Sequence, residues 1–169
     1  GYAVFANGGY RIQPYIVKQI LDDKGNVLAE AQPVTAGDEN LRVIDPRNAY
    51  LMDSMMHDVV RRGTATRALQ LKRGDLAGKT GTTNDFVDAW FCGYQPTLVG
   101  VAWIGFDQPK KLGNGETGGS AALPIWIGYM DKALKNVPES FMATPEGLVA
   151  VRIPADGAGE AASQATELI

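Results

Sequence analysis

Gly74–Phe91 reads GDLAGKTGTTNDFVDAWF, and its centre, GKTGT at 78–82, decides both the fold and the kind of site that this chain carries. Gly-Lys-Thr ends the loop that cradles nucleotide phosphates in many enzymes. The same three residues on a strand beside a cleft would instead present a lysine and hydroxyl groups to a carboxylated substrate. The neighbouring residues distinguish the two interpretations.

The spacing argues against a phosphate loop. That loop needs a glycine, four residues and then Gly-Lys-Ser/Thr, whereas only three residues separate Gly74 from Gly78, and Arg73 stands where the first glycine is required. A phosphate loop also opens directly into a helix, so that its amide groups face the anion. After Thr80 the chain reads GTTNDFVDAWFCGY, which is typical of strands. We therefore predict a strand, on which Gly81 leaves room for the backbone of a substrate.

Three strands are predicted in this region, at Leu76–Thr82, Val87–Tyr94 and Leu98–Phe106. The short pieces TND and QPT separate them, and links of this length join antiparallel neighbours. The third strand is apolar on both faces, so we expect it inside a sheet that is covered on both sides.

Two helices flank the predicted sheet and make the fold class α/β. The first covers Asp45–Arg62, with Asp45 as its N-cap and Pro46 in the first helical position. The second is expected to start from Ser120 as its cap and to run to about Asn136. Its apolar stripe comprises Leu123, Trp126, Ile127, Met130 and Leu134. Shorter elements are predicted as a helix end at Gly1–Gly9 and a β-hairpin of Tyr15–Leu21 with Val27–Ala29.

Composition excludes several classes of protein. The 169 residues suffice for a domain with a core, and a net charge of −3 without a basic stripe argues against a nucleic-acid partner. The single cysteine allows no internal disulfide, and no run of about 18 apolar residues indicates a membrane span in this chain. No pattern indicates a metal or another cofactor. The chain begins at Gly1 inside an apolar stretch, which we interpret as the cut end of a longer polypeptide.

Other reactive or aromatic residues have structural explanations. We predict that His57 is a solvated or half-buried surface residue, because no acidic residue is spaced to orient it, and that Cys92 is a buried, inert thiol. The three tryptophans, Trp90, Trp103 and Trp126, are expected to pack the sheet against its helices.

Five segments resemble the transpeptidase domain of class A penicillin-binding proteins of the 1A type. They are YAVFANGG at 2–9, RRGTA at 61–65, GKTGTTNDFVDAWFCGY at 78–94, VAWIGFD at 101–107 and TGGSAALPIW at 117–126. The resemblance covers residues 1–137 and implies the C-terminal portion of that domain, a partial penicillin-binding transpeptidase or serine β-lactamase-like fold. Residues 138–169 would form a C-terminal extension, and the stretch from Pro154 to Ile169 is expected to be disordered or a linker.

The resemblance implies a parent enzyme that cross-links peptidoglycan stem peptides through a serine acyl-enzyme and binds β-lactam antibiotics. The parent would be a bifunctional synthase that also carries a glycosyltransferase domain and is anchored in the bacterial inner membrane on its periplasmic side. The family's serine lies in a Ser-x-x-Lys motif beside a Ser-x-Asn motif. None of the four serines, Ser54, Ser120, Ser140 and Ser163, stands in either motif. The chain is therefore expected to hold no nucleophile and to supply one wall of the site.

By the same resemblance, the substrate-binding residues are Lys79, Thr80, Gly81 and Thr82. Lys79 would hold the terminal carboxylate of the substrate, with hydroxyl contacts from Thr80 and Thr82. The backbone N–H of Thr82 would form one half of the oxyanion hole.

Three alternatives remain open. A serine β-lactamase would hydrolyse the acyl-enzyme, although DAWFCGY at 88–94 and TGGSAALPIW at 117–126 fit a synthase better. A β-lactam sensor domain would share the Lys-Thr-Gly strand. A non-catalytic binding or interaction domain would need no nucleophile at all.

Overall fold

The computed structural model describes residues 1–152 and 166–168, and it confirms the predicted mixture of helices and antiparallel strands. The helices are α1 (Tyr2–Ala6), α2 (Pro46–Arg61) and α3 (Leu123–Ala133). The strands are β1 (Gln19–Leu21), β2 (Val27–Glu30), β3 (Ala77–Thr82), β4 (Ala89–Gln95), β5 (Leu98–Ile104), β6 (Ala150–Arg152) and β7 (Thr166–Leu168). The predicted hairpin is present as the antiparallel pair β1–β2, with a shorter first strand than expected.

The central sheet has the order β3-β4-β5, and both pairings are antiparallel. Side chains alternate between its two faces. Phe91 of β4 packs against Trp126 of α3, with ring centroids 4.9 Å apart, in the main hydrophobic core. Ala77 and Tyr94 belong to a second cluster with Met56 of α2. The sheet therefore lies between α3 on one face and α1 with α2 on the other.

Helix α2 begins where its capping residues predict. The Asp45 carboxylate accepts a hydrogen bond from the backbone N–H of Arg47. Pro46 has no backbone N–H, so it leaves no unsatisfied donor in the first helical turn. The helix ends at Arg61, just before Gly63.

The start of the last helix differs from the prediction. Thr117, not Ser120, is the cap of a π-type turn at Gly118–Ala122 that leads into α3. The Thr117 hydroxyl accepts from the Ser120 backbone N–H at 3.2 Å, while the Ser120 hydroxyl accepts from the Thr117 N–H at 2.8 Å. This reciprocal capping box makes Ser120 its third position and not the cap itself. The helix ends at Ala133, short of the predicted Asn136, whose positive φ of 63° is incompatible with a continuing helix.

The prediction that the third strand is covered on both sides is wrong. Among the described strands, β5 lies at the edge of the sheet, and Val101 and Trp103 are 56% and 45% exposed. Of the three tryptophans, only Trp126 packs the sheet against a helix; it is 1% exposed. Trp90 and Trp103 instead lie against one another on the open part of the other face, with ring centroids 5.9 Å apart.

The residues after 137 return to the start of β3. The Asp75 carboxylate is fully buried, pairs with Arg73 at 2.7 Å and accepts a hydrogen bond from the backbone N–H of Ser140. Beyond this, β6 pairs with β7 in antiparallel fashion. The predicted disorder from Pro154 onwards falls, at 154–165 and 169, outside the described residues.

Candidate functional site

Strand β3 carries the Lys-Thr-Gly triplet at an edge of the central sheet. One side of β3 pairs with β4, where Lys79 lies opposite Cys92 and Thr80 opposite Phe91. No described strand pairs with its other side. A strand edge of this kind exposes backbone N–H and C=O groups that can pair with another extended chain.

A hydroxyl-rich cleft of about 520 Å³ lies beside this strand. Its lining residues are Thr64, Arg67, Thr80, Thr82, Thr117, Gly119 and Ser120. The hydroxyl of Thr80 is hydrogen-bonded to the hydroxyl of Thr64 at 2.8 Å. The hydroxyl of Thr82 accepts from the backbone N–H of Gly118 at 3.0 Å. Two of the predicted binding residues are thus held in place by neighbours on other elements.

Gly118, which stands between the cleft residues Thr117 and Gly119, makes direct backbone contact with the sheet. A Cβ atom at this position would lie 2.2 Å from the carbonyl oxygen of Trp90 and 2.6 Å from that of Gly81. Only glycine permits so close an approach of two backbones. The turn before α3 therefore lies in direct contact with β3 and β4, and Thr117, Gly119 and Ser120 of this region line the cleft.

Lys79 lies on the other face of the strand. Side chains alternate along β3, so Lys79 points away from Thr80 and Thr82. It lines a separate groove of about 430 Å³ together with apolar residues, namely Tyr2, Phe5, Met52, Met55, Met56 and Val59. Its exposed ammonium donates to the carbonyl oxygen of its neighbour Thr80 at 2.8 Å. The predicted residues therefore share one strand edge but do not converge on one cavity.

Five residues of the cleft were missed by the sequence prediction. Thr64 and Arg67 follow the end of α2, and Thr117, Gly119 and Ser120 lie at the turn before α3. The only local signal in the sequence was that RRGTA at 61–65 spans the predicted end of a helix. Arg67 is exposed and supplies a positive charge to the lining of this cleft, whereas Lys79 lines the separate groove on the other face.

The prediction for His57 is wrong. The residue is only 8% exposed, and its Nδ1 lies 2.8 Å from the carbonyl oxygen of Leu76. An acidic partner does exist: Asp53 precedes it by one helical turn and places a carboxylate oxygen 3.4 Å from Nε2. The Tyr94 hydroxyl donates to the other carboxylate oxygen of Asp53 at 2.7 Å. Burial, followed by the nearby Asp53 carboxylate, raises the pKa of Tyr94 well above its ordinary value.

Cys92 is half-buried, not buried as predicted. Burial is the main cause that raises the pKa of its thiol, which keeps it in the less reactive protonated form. Among the described residues, no group of three His, Cys, Asp or Glu side chains is placed to hold a metal ion. In the same part of the chain, no helix combines the length and apolar character that crossing a bilayer requires.

Comparison with known proteins places these features in a family. The family model of the penicillin-binding protein transpeptidase domain matches residues 1–126. Penicillin-binding protein 1A of Neisseria lactamica is 52% identical over 149 residues, which is 88% of this chain and 19% of that protein. Penicillin-binding protein 1A of Pseudomonas aeruginosa is 43% identical over 197 residues, 90% of this chain and 24% of that protein. The chain spans about a fifth of the length of these relatives.

A solved structure agrees with the sequence matches. The crystal structure of penicillin-binding protein 1A from Haemophilus influenzae superimposes with a TM-score of 0.85 at 32% identity, covering 99% of this chain and 30% of that one. The sequence matches and the structural match therefore identify the same family, and the chain belongs to the penicillin-binding protein transpeptidase domain family.

Proposed function

We propose that this chain supplies the Lys-Thr-Gly wall of a D-alanyl-D-alanine transpeptidase that cross-links peptidoglycan stem peptides. One observation carries the proposal: the edge of β3, which no described strand pairs, borders a hydroxyl-lined cleft on one face and carries a lysine on the other. The serine nucleophile and its lysine would come from another part of a longer polypeptide, since no Ser-x-x-Lys motif is present in the chain.

The edge of β3 suits an extended peptide. Such a peptide adds to an exposed strand through main-chain hydrogen bonds, while side-chain pockets on the two faces supply specificity. Gly81 keeps the approach open. Thr80 and Thr82 offer hydroxyl groups to the terminal carboxylate, and Lys79 and Arg67 supply positive charge on the two faces.

In the proposed reaction, the nucleophile is the serine supplied by the other part of the longer polypeptide. Its hydroxyl attacks the carbonyl carbon between the two D-alanines, the C–N bond breaks, and the terminal D-alanine leaves with a proton on its nitrogen. The amine of a second stem peptide attacks the acyl-enzyme and restores the serine. The N–H of Thr82 would stabilise the negative oxygen in both steps, and loss of one such donor typically costs about 2.7–4 kcal/mol of transition-state stabilisation.

The longer protein is proposed to be a bifunctional synthase, with a glycosyltransferase domain and an inner-membrane anchor that places the site on the periplasmic side. Residues 1–137 would be the transpeptidase portion and 138–169 an extension. β-Lactams would acylate the same serine. The sequence identity to several penicillin-binding proteins 1A supports this assignment over a β-lactamase or a sensor domain.

A labelling experiment with fluorescent penicillin tests the proposal. The full-length protein should form an adduct that survives a denaturing gel, whereas the 169-residue chain should stay unlabelled. Lys79→Ala in the full-length protein should slow acylation roughly 10- to 100-fold, because a hydrogen bond to a charged group contributes about 1.5–3 kcal/mol.

Lys24→Ala is the matched control, since Lys24 is also exposed but lies in the turn between β1 and β2. A covalent adduct on the isolated chain would contradict the missing nucleophile. Normal acylation of the Lys79→Ala variant would contradict the role of that lysine. Rapid release of hydrolysed penicillin by the full-length protein would favour the β-lactamase alternative.

A further inference from the structure

Strand β3 has few side chains with which to hold its own position. Ala77, Gly78 and Gly81 make up half of the strand and together contribute a single methyl group. Lys79 is exposed, so its side chain does not lock the backbone through packing. Apart from the hydroxyl contacts of Thr80 and Thr82, the strand is positioned by hydrogen bonds to its backbone, and β4 supplies these along one side only.

His57 provides such a contact from the helix side. Its Nδ1 lies 2.8 Å from the carbonyl oxygen of Leu76, the residue immediately before β3. A carbonyl oxygen can only accept a hydrogen bond, so Nδ1 must carry the proton. Because both residues are buried, water cannot take over this contact if it is lost.

The ring of His57 is itself held in a fixed orientation. The carboxylate of Asp53, one turn earlier in α2, lies 3.4 Å from Nε2 and also accepts the hydroxyl of Tyr94 at 2.7 Å. Tyr94 lies on β4 directly opposite Ala77, the first residue of β3. These contacts therefore connect α2 to the start of β3 through His57, and α2 to the neighbouring strand β4 through Asp53 and Tyr94.

We propose that His57 is a positioning residue for the acylation reaction, which it serves by fixing the start of the Lys-Thr-Gly strand. The inference rests on the proposed function. The imidazole does not touch the substrate. It anchors the backbone three residues before Lys79, and Lys79 and Thr82 depend on that anchor for their place beside the substrate.

Two variants of the full-length protein separate this role from general stability. In His57→Asn the amide nitrogen takes the place of Nδ1 and can still donate to Leu76, whereas His57→Leu removes the donor. Both variants lose the partner of Asp53 to a similar degree. The rate of acylation by fluorescent penicillin should fall on the order of 10- to 100-fold in the leucine variant and stay within about threefold of wild type in the asparagine variant, since a displacement of about 1 Å at a catalytic site costs up to about 100-fold.

Folding is checked in parallel by circular dichroism, so that rates are compared only between folded proteins. If the leucine variant does not fold, the acylation rate of the asparagine variant tests the inference. An acylation rate like that of the wild type supports the inference, and a roughly 10- to 100-fold loss of that rate overturns it. Equal rates for folded wild type and leucine variant overturn the inference but leave the proposed function intact. Failure of the wild type itself to be acylated overturns both.

A spectroscopic measurement tests the contact without any activity. His57 is the only histidine of the 169-residue chain, so a long-range ¹H–¹⁵N correlation spectrum reports on a single imidazole. The expected spectrum shows a proton on Nδ1, either alone or together with one on Nε2. A neutral ring with its proton only on Nε2 would overturn the inference.

Discussion

Replacing Gly118 by alanine should open the cleft and destabilise the protein. The added Cβ would lie 2.2 Å from the carbonyl oxygen of Trp90, where ordinary contacts begin at 3.4 Å. The turn before α3 must therefore move outward by about 1.2 Å, the difference between these two distances. The obstructing atoms belong to the backbone of the sheet and cannot rotate away, so the turn before α3 has to be displaced.

Two contributions add to the cost. Overpacking of this kind typically costs about 1–3 kcal/mol. The displacement also lengthens the 3.0 Å hydrogen bond from the Gly118 N–H to the Thr82 hydroxyl beyond bonding distance, which costs a further ~1 kcal/mol. We expect the free energy of unfolding to fall by roughly 2–4 kcal/mol in total. Acylation of the full-length protein should slow by up to about 100-fold, because Thr82 lies at the displaced end of the site.

Urea denaturation followed by circular dichroism measures the first effect and fluorescent-penicillin labelling the second. Gly128→Ala is the matched control. Gly128 is an exposed residue of α3, and a Cβ added there would have no atom within 4 Å, so alanine should stabilise the helix by about 0.5–1 kcal/mol. If Gly118→Ala unfolded at the same urea concentration as wild type and reacted at the normal rate, the close backbone contact would not be what shapes the cleft.

Two further predictions concern stability. Asp75→Ala should lower the free energy of unfolding by roughly 3–5 kcal/mol, because it leaves the nearly buried Arg73 without its carboxylate partner. Asp58→Ala, which removes a largely exposed pair at the end of α2, should cost less than about 1 kcal/mol. Equal urea midpoints for these two variants would refute the distinction. The pKa of Asp45 is lowered to about 2 from 3.8, mainly by the hydrogen bond from the Arg47 side chain. Because the pKa is lower in the folded state, the stabilisation is complete above about pH 4 and is lost as the pH falls through about 2. Asp45→Asn should therefore weaken the acid dependence of the urea midpoint, and an unchanged dependence would contradict the assignment.

Local signals in the sequence predicted the elements that depend on them. The cap at Asp45 and the proline after it placed the start of α2 correctly, because a helix N-terminus is satisfied by residues within one turn. The three strands of the sheet were predicted to within about two residues at each end, since short turns separate antiparallel neighbours.

The errors concern contacts between distant residues. An apolar pattern shows that both faces of β5 are suited to burial, but it does not show whether anything covers them, and Val101 and Trp103 are exposed. The cleft likewise joins Thr64 to Thr80 from separate elements, a pairing that no local spacing reveals. His57 is a different case, because its partner Asp53 stands at the i−4 position, and helical spacing alone could have predicted the pair.

The small side chains of β3 bear on how such a site can change under selection by antibiotics. On the proposed function, drug and natural substrate use the same strand, so a substitution within GKTGT would harm both. A substitution at a position that contacts the strand without lining the cleft, such as His57 or Gly118, would shift the strand slightly and leave every side chain that touches either molecule unchanged. Resistance surveys of this family should therefore cover the supporting layer as well as the residues that line the groove.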